Sequence, residues 1–238
     1  MRDMERHLLA PGYVLHQHAY RDTSRIIEVF TREHGRLSLF ARGARAPRST
    51  LRAALRPFQP LLISWAGRSE SGNLSAVELA GDFVQLPAAR LMSGFYLNEL
   101  LLRLTGRMDP HPGVYDAYAD ALHALAKQDS PEPALRRFEK RLLEDLGYGT
   151  DFSVTDQGER VVPGGFYHAR PQRPVIRCDS ALADAVPGTS LIELAGESFE
   201  NERTLRDAKR ILRAAIEMCL DGRTLGSRTV MKALHARN

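Results

Sequence analysis

The chain has 238 residues, 43% of them hydrophobic, and a formal net charge of +4 at pH 7. That length can bury a core without disulfide or metal staples, no apolar run reaches the ~18 residues of a membrane span, and the first five residues lack the apolar core of a signal peptide. The two cysteines, Cys178 and Cys219, make no disulfide framework and suit a reducing cytoplasm.

The distribution of charge says more than its sum. Residues 1–56 hold eleven arginines, no lysine and five acids, an excess of six positive charges. Residues 201–238 hold nine Lys and Arg against four Asp and Glu, so the stretch between these ends is acidic by about seven charges. Clustered positive charge is the electrostatic footprint of a polyanion ligand. Arginine in place of lysine favours bidentate contact with phosphate.

In chain order, the first eighty residues read as strands. Tyr13 to Tyr20 is a short run, and Ser24 to Thr31 carries Ile26, Ile27, Val29 and Phe30. Glu33-His34-Gly35 is a turn, after which Arg36 to Arg42 alternates, with Leu37 and Leu39 on one face and Arg36, Ser38 and Phe40 on the other. Pro57 to Trp65 is a further strand, Gly67 to Gly72 a turn, and Asn73 to Leu79 the last strand. Five short strands in this span predict a small closed barrel such as the OB-fold. From Ala88 the period becomes helical. Ala88 to Leu104 is apolar nearly all round and predicts a buried central helix. Val114 to Ala126 is a second helix, and a third runs from Ser130 as N-cap, with Pro131 at its first position, to a stop at Gly147. Residues 148–200 show no clear period and are rich in Gly and Pro. Arg203 to Leu220 is helical again, and Ser227 caps a short final helix. The expected fold is therefore multi-domain. An N-terminal OB-fold β-barrel (1–82) precedes a mainly α-helical domain (83–238) with a small irregular Gly/Pro-rich lobe at about 148–200.

The densest local signal is Arg42-Gly43-Ala44-Arg45-Ala46-Pro47-Arg48-Ser49-Thr50-Leu51-Arg52, which places four arginines on a loop between two barrel strands. With Arg36 and Arg56, and with Arg206 and Arg210 of the basic C-terminal helix, they form the candidate nucleic-acid-binding set. Tyr20, Phe40 and Phe58 are available for base stacking, though each residue type more often fills a barrel core; Trp65, the only tryptophan, is expected in the core. On the third helix, Arg136, Arg137 and Lys140 flank the apolar stripe of Leu135 and Phe138. This suits a partner's tail that ends in acids, a Phe and a free carboxylate, or equally an ordinary amphipathic helix paired with nearby acids. No phosphate-binding Gly-rich motif with lysine, no Gly-x-Ser-x-Gly elbow and no metal-ligand cluster is present, so no enzyme is expected. His7, His16, His18 and His34 in the basic region read as surface residues.

A resemblance organises these signals. Tyr13-Val14-Leu15-His16, Asp22-Thr23-Ser24, Val29-Phe30-Thr31, His34-Gly35-Arg36, Arg42-Gly43-Ala44-Arg45 and Pro57-Phe58-Gln59-Pro60-Leu61-Leu62 resemble the barrel domain of the bacterial RecO family. Ser93 to Leu100, Leu135 to Glu139, Leu146-Gly147-Tyr148-Gly149 and Leu225-Gly226-Ser227-Arg228 continue the pattern in order. The resemblance implies a cytoplasmic, nucleoid-associated mediator of recombinational DNA repair. It implies binding of single- and double-stranded DNA, annealing of complementary strands, and partnership with RecR, with the C-terminal tail of single-strand-binding protein and indirectly with RecA. Some members carry a four-cysteine zinc ribbon after the Leu-Gly-Tyr segment. Here Pro163-Gly164-Gly165 is followed by no ligand pair, and Cys178 with His168 offers at most two of the four ligands a structural zinc needs. No metal or other cofactor is expected, and the lobe must be held by packing. A basic barrel fits RNA equally well, and a protein-binding scaffold with incidental charge is the other alternative.

Overall fold

The computed structural model describes residues 5–67, 70–81, 84–179 and 184–235. Five strands, β1 (Arg6–Tyr20), β2 (Ser24–Thr31), β3 (Gly35–Ala41), β4 (Leu61–Ala66) and β5 (Ser71–Leu79), close a barrel in the order β1-β2-β3-β5-β4. β3 and β5 pair in parallel and the other neighbours antiparallel, which is the OB-fold arrangement. Alternation decides the interior: Val14, Ile27, Val29, Leu37, Leu39, Leu61, Ile63 and Trp65 all point in and are at most 2% exposed. Trp65 is thus a core residue, with the His7 ring stacked on it at 4.5 Å.

The strands start elsewhere than the periodicity put them: β4 at Leu61 rather than Pro57, β5 at Ser71 rather than Asn73, and above all β1. β1 begins at Arg6 rather than Tyr13, because its first half pairs with β4 through an irregularity between His7 and Ala10 that extrudes Leu8 and Leu9. Leu9 takes φ +53°, and a non-alternating Leu-Leu-Ala-Pro run hides such a strand from a period-two reading. The second half of β1 pairs with β2, and that ladder skips Leu15 between Val14 and His16. The 33–35 turn forms as expected. Thr31 Oγ1 accepts from the His34 amide at 3.2 Å and donates to the Gly35 carbonyl at 2.9 Å. Gly35 has φ +65°, and a Cβ there would lie 2.2 Å from the Asp109 carbonyl oxygen, so only glycine fits.

The chain divides into two compact units, residues 1–127 with 225–238, and residues 128–224. The change of period expected at 82–83 falls on residues outside those described. In the first unit the barrel is joined by α2 (Leu91–Leu104), α3 (Pro112–Lys127) and α7 (Gly226–His235), with a one-turn α1 (Leu51–Ala54) in the β3–β4 connection. α2 is not buried all round: Tyr96, Leu97, Leu100 and Leu101 are covered, while Leu91 and Phe95 are 38% and 41% exposed. Buried Asn98 fixes α2 to the barrel at the bulge. Its side-chain amide donates to the Leu15 carbonyl at 2.9 Å, and its oxygen accepts from Tyr118 of α3 at 2.6 Å. The final helix begins at Gly226, so Ser227, expected as its cap, lies within its first turn, and the cap comes from elsewhere. Glu99 of α2 accepts from the Gly226 and Ser227 amides, each at 2.9 Å, and from the Ser227 hydroxyl at 2.6 Å.

The second unit holds α4 (Glu132–Asp145), α5 (Gly188–Ala195), α6 (Glu202–Cys219) and a three-stranded sheet of β6 (Phe166–His168), β7 (Ile176–Cys178) and β8 (Val186–Pro187) in the order β7-β6-β8. Asn201 caps α6 by accepting from the Arg203 amide at 2.8 Å. Helix α5 had no sequence signal strong enough to separate it from the Gly- and Pro-rich lobe. That lobe has an apolar interior of its own, with Tyr167, Val175 and Val186 at most 1% exposed and the Tyr167 hydroxyl accepting from the Val162 amide at 3.0 Å. Among the described residues no group of three or more His, Cys, Asp and Glu could hold a metal ion. Both cysteines are free thiols.

Candidate nucleic-acid interface

A groove of about 460 Å³ crosses the outside of the barrel, lined by Tyr20 and Arg21 at one end, Ile26, Ser38 and Phe40 along β2 and β3, and Gly72 and Asn73 on β5. Alternation puts Ile26, Ser38 and Phe40 here because their neighbours Ile27, Leu37 and Leu39 are in the core. Tyr20 and Phe40 meet edge to face with ring centroids 5.5 Å apart, and Arg21, at φ +51°, holds its guanidinium 5.3 Å from the Tyr20 centroid. Tyr20 is 38% exposed and Phe40 half-buried. Two of the three expected stacking residues therefore face solvent. Phe58 does not: it is 4% exposed, and its ring lies 5.2 Å from Phe95.

The β3–β4 connection runs beside this groove. Arg42, Arg45, Arg48, Arg52 and Arg56 are all exposed, while Ala44 and Leu55 are buried at 0% and 1% and pin the loop between them. Gly43 takes φ +68°, and its carbonyl accepts from the Ala46 amide at 3.0 Å. The Arg45 amide donates to the Thr23 carbonyl at 2.7 Å and its guanidinium to the Arg21 carbonyl at 3.2 Å, tying the loop to the β1–β2 turn at the aromatic end. Arg45 thus lies at the aromatic end of the groove. Arg21 was missed in the sequence because it lies outside the dense cluster; its place two residues before Thr23, which anchors that loop, is what brings it in.

Arg36 stands apart from this set. Its side chain is 14% exposed, pairs with Glu28 at 3.4 Å and donates to the Thr105 carbonyl at 3.0 Å. Burial lowers its pKa, and Glu28 only partly offsets that. Arg107 completes the network, 2.9 Å from Glu28 and 3.5 Å from Glu70. Arg36 is a fastener between β3 and the segment after α2, so it is removed from the phosphate-contacting set. Arg206 and Arg210 are exposed on α6, in the second unit. Arg210 donates twice to the Asp184 carbonyl at 3.2 Å and lies 3.8 Å from Asp207.

The expected tail groove on α4 is corrected. Leu135, Phe138, Arg136 and Lys140 are 6%, 1%, 4% and 8% exposed, so the apolar stripe is interior, and of these four Lys140 reaches a depression, which it lines with Glu144 and Ala195. Arg136 is buried in a pair with Glu139 at 2.7 Å. The rest of the basic band closes on Glu197. Arg141 reaches its carboxylate at 2.9 Å and Lys140 at 3.4 Å, and Arg137 donates to its carbonyl at 3.2 Å. Burial raises the Glu197 pKa, but the Arg141 hydrogen bonds and charge, helped by Lys140, bring it below the usual carboxylate range. Glu197 has φ +56°, and two residues on, the buried Phe199 ring lies 5.5 Å from the Arg137 guanidinium.

Comparison with known proteins gives two family matches, which together span most of the chain. The family described as Recombination protein O N terminal matches residues 4–83, and that described as Recombination protein O C terminal matches residues 88–229. The DNA repair protein RecO of Thiobacillus denitrificans is 42% identical over 236 residues, covering 95% of this chain and 92% of its own. That of Methylococcus capsulatus is 43% identical over 233 residues, covering 97% and 96%, and that of Aromatoleum aromaticum 42% over 227 residues, covering 94% and 95%.

Proposed function

The chain belongs to the RecO family of DNA repair proteins, and on that premise we propose that it is a recombination mediator that holds single- and double-stranded DNA on its barrel. It anneals complementary strands and helps load recombinase on strands coated by single-strand-binding protein. The observation that carries this reading is the conjunction of an aromatic groove with five exposed arginines on the adjoining loop. Bases stack on Tyr20 and Phe40 without regard to sequence, and the arginines meet the phosphates. Annealing follows from charge: two backbones repel, and a positive surface that screens both lowers the barrier to their meeting. The protein works by binding and assigns no catalytic step to any residue. RecR and RecA are its expected partners in the cytoplasm, at the nucleoid. No helix among the described residues is long and apolar enough to cross a membrane.

The tail of single-strand-binding protein is assigned to the second unit, with its contacts revised. Glu197 with Phe199 already offers α4 an acid and an aromatic ring. An acidic tail ending in Phe competes for Arg137, Lys140 and Arg141 by displacing that carboxylate, while Leu135, Arg136 and Phe138 keep the helix rigid beneath them.

A filter-binding titration of single-stranded DNA against RNA of equal length, at several salt concentrations, tests the central reading. Salt-dependent binding that favours DNA, with faster annealing of complementary strands, is expected. Preference for RNA moves the protein to an RNA-binding module. Absence of salt-dependent binding leaves only the scaffold.

A further inference from the structure

The outer face of the barrel extends beyond the groove, and the strand register shows what the extra width carries. Residues directly opposite one another in neighbouring strands share a face. His18 is opposite Ile26, Ile26 opposite Phe40, and Phe40 opposite Asn73. One row along, His16 is opposite Glu28, Glu28 opposite Ser38, and Ser38 opposite Ser71. Ile26, Phe40, Asn73, Ser38 and Ser71 all line the groove, and His16 and His18 sit on the same outer face beside it, on β1. Tyr20, two residues further on the same face, ends the row at the aromatic end. Both imidazoles are exposed, with ring centroids 6.3 Å apart.

The charged groups around this pair are nearly all engaged. On β2, Glu28 is held by Arg36 of β3 and by Arg107, and Arg25 donates to Gln17. On α2, Glu99 and Arg103 share a depression with His16, and the Glu99 carboxylate is taken up by the start of α7. In the β1–β2 turn, Arg21 sits over Tyr20. Glu28 and Glu99 thus have partners already, Asp22 of the same turn is an exposed carboxylate, and the imidazoles lie exposed on the outer face beside the groove.

We propose that His16 and His18 belong to the strand-contacting surface and make its hold on single-stranded DNA depend on pH. The inference rests on the binding role given to the groove above. As imidazolium each contacts a phosphate; neutral, each offers only a ring face. Imidazole changes charge between about pH 5 and 8. Each added phosphate contact on a single strand steepens the fall of log affinity with log salt by about 0.7. Two contacts therefore add about 1.4 at acid pH.

The test is fluorescence anisotropy of a labelled oligothymidylate across a salt series at about pH 5.5 and about pH 8, on either side of the imidazole range. The parent, the His16→Gln/His18→Gln double variant and His123→Gln are compared. His123 is exposed on α3, its ring 2.8 Å from the Ala119 carbonyl, and serves as the histidine control. The parent and His123→Gln should bind more tightly at acid pH, with a slope steeper by about 1.4, and the double variant should lose that difference. A double variant with the parent's pH dependence overturns the proposal and leaves strand binding itself standing. No binding by the parent at either pH overturns both.

Discussion

Replacing Arg42, Arg45 and Arg48 with alanine removes three exposed guanidiniums from the loop beside the groove while leaving its buried anchors, Ala44 and Leu55, in place. If each meets a phosphate, the slope of log affinity against log salt for single-stranded DNA flattens by about 2, at roughly 0.7 per contact. Over a fourfold rise in salt the parent then loses roughly 20-fold more affinity than the variant, and on a duplex, at roughly 0.9 per contact, the gap is wider. The loss should be alike for different sequences, because phosphate contacts position a strand and do not read it. Folding should survive: the side-chain interaction surrendered is the exposed bond from Arg45 to the Arg21 carbonyl, worth about 0.5–1.5 kcal/mol. Arg36→Ala is the internal contrast. It strips Glu28 of one partner and leaves the Thr105 carbonyl short of a donor, so it should cost about 1–3 kcal/mol of stability and leave the salt slope unchanged. Binding measured across a salt series, with urea unfolding of each variant alongside, reads both effects. A folded triple variant with the parent's slope refutes the assignment, and the exposed α6 arginines, Arg206 and Arg210, then become the better candidates.

Three further outcomes follow from the geometry. Asn98→Ala leaves the Leu15 carbonyl and the Tyr118 hydroxyl without their buried partner and should lower unfolding free energy by about 2–5 kcal/mol, read by urea titration; a loss under about 1 kcal/mol means water replaces the amide. Burial raises the pKa of Glu99, but the hydrogen bonds from Ser227 and Gly226, with Arg103 nearby, bring it below its ordinary 4.5. Because the folded value is the depressed one, its contribution is complete above 4.5 and disappears as pH falls through the folded value; protection of the Gly226 and Ser227 amides from exchange, measured against their intrinsic rates at each pH, should fall there and not in Glu99→Gln, which lacks the titration. Glu197→Gln takes the carboxylate from Arg141, leaves Lys140 with Glu144 at 2.9 Å, and should tighten binding of an acidic, Phe-ending peptide several-fold by fluorescence titration, whereas weaker binding would make Glu197 a support of the site and not its competitor.

The barrel was legible because period-two alternation in β2 and β3 is undisturbed, and each core residue there is separated from the next by one that faces out. β1 was half hidden, since a strand interrupted by bulges at Leu8–Leu9 and at Leu15 shows no regular period. The arginine loop stood out because its charge density is local. The aromatic end of the groove was only partly visible, for composition cannot say which side of a barrel wall Tyr20, Phe40 or Phe58 faces. The α4 band misled for a related reason. Arg136 and Lys140 read as surface charge by type, yet Glu139 and Glu197 neutralise them in the interior, and Glu197 lies some sixty residues away in sequence. Arg36 likewise belongs to a network whose members, Glu28, Glu70 and Arg107, come from three separate segments.

The return of residues 225–235 to the first unit makes the second unit an insertion. Cutting the chain after residue 83 would strip the barrel of α2, α3 and α7 together, and cutting it after residue 224 would leave Glu99 with no helix to cap. Excision follows the architecture where truncation does not: removing 128–224 and splicing 127 to 225 through a short linker keeps every element of that unit. The resulting miniature should retain the groove and the arginine loop while losing the α4 and α6 surfaces together, so one molecule separates strand binding from whatever the inserted unit recruits.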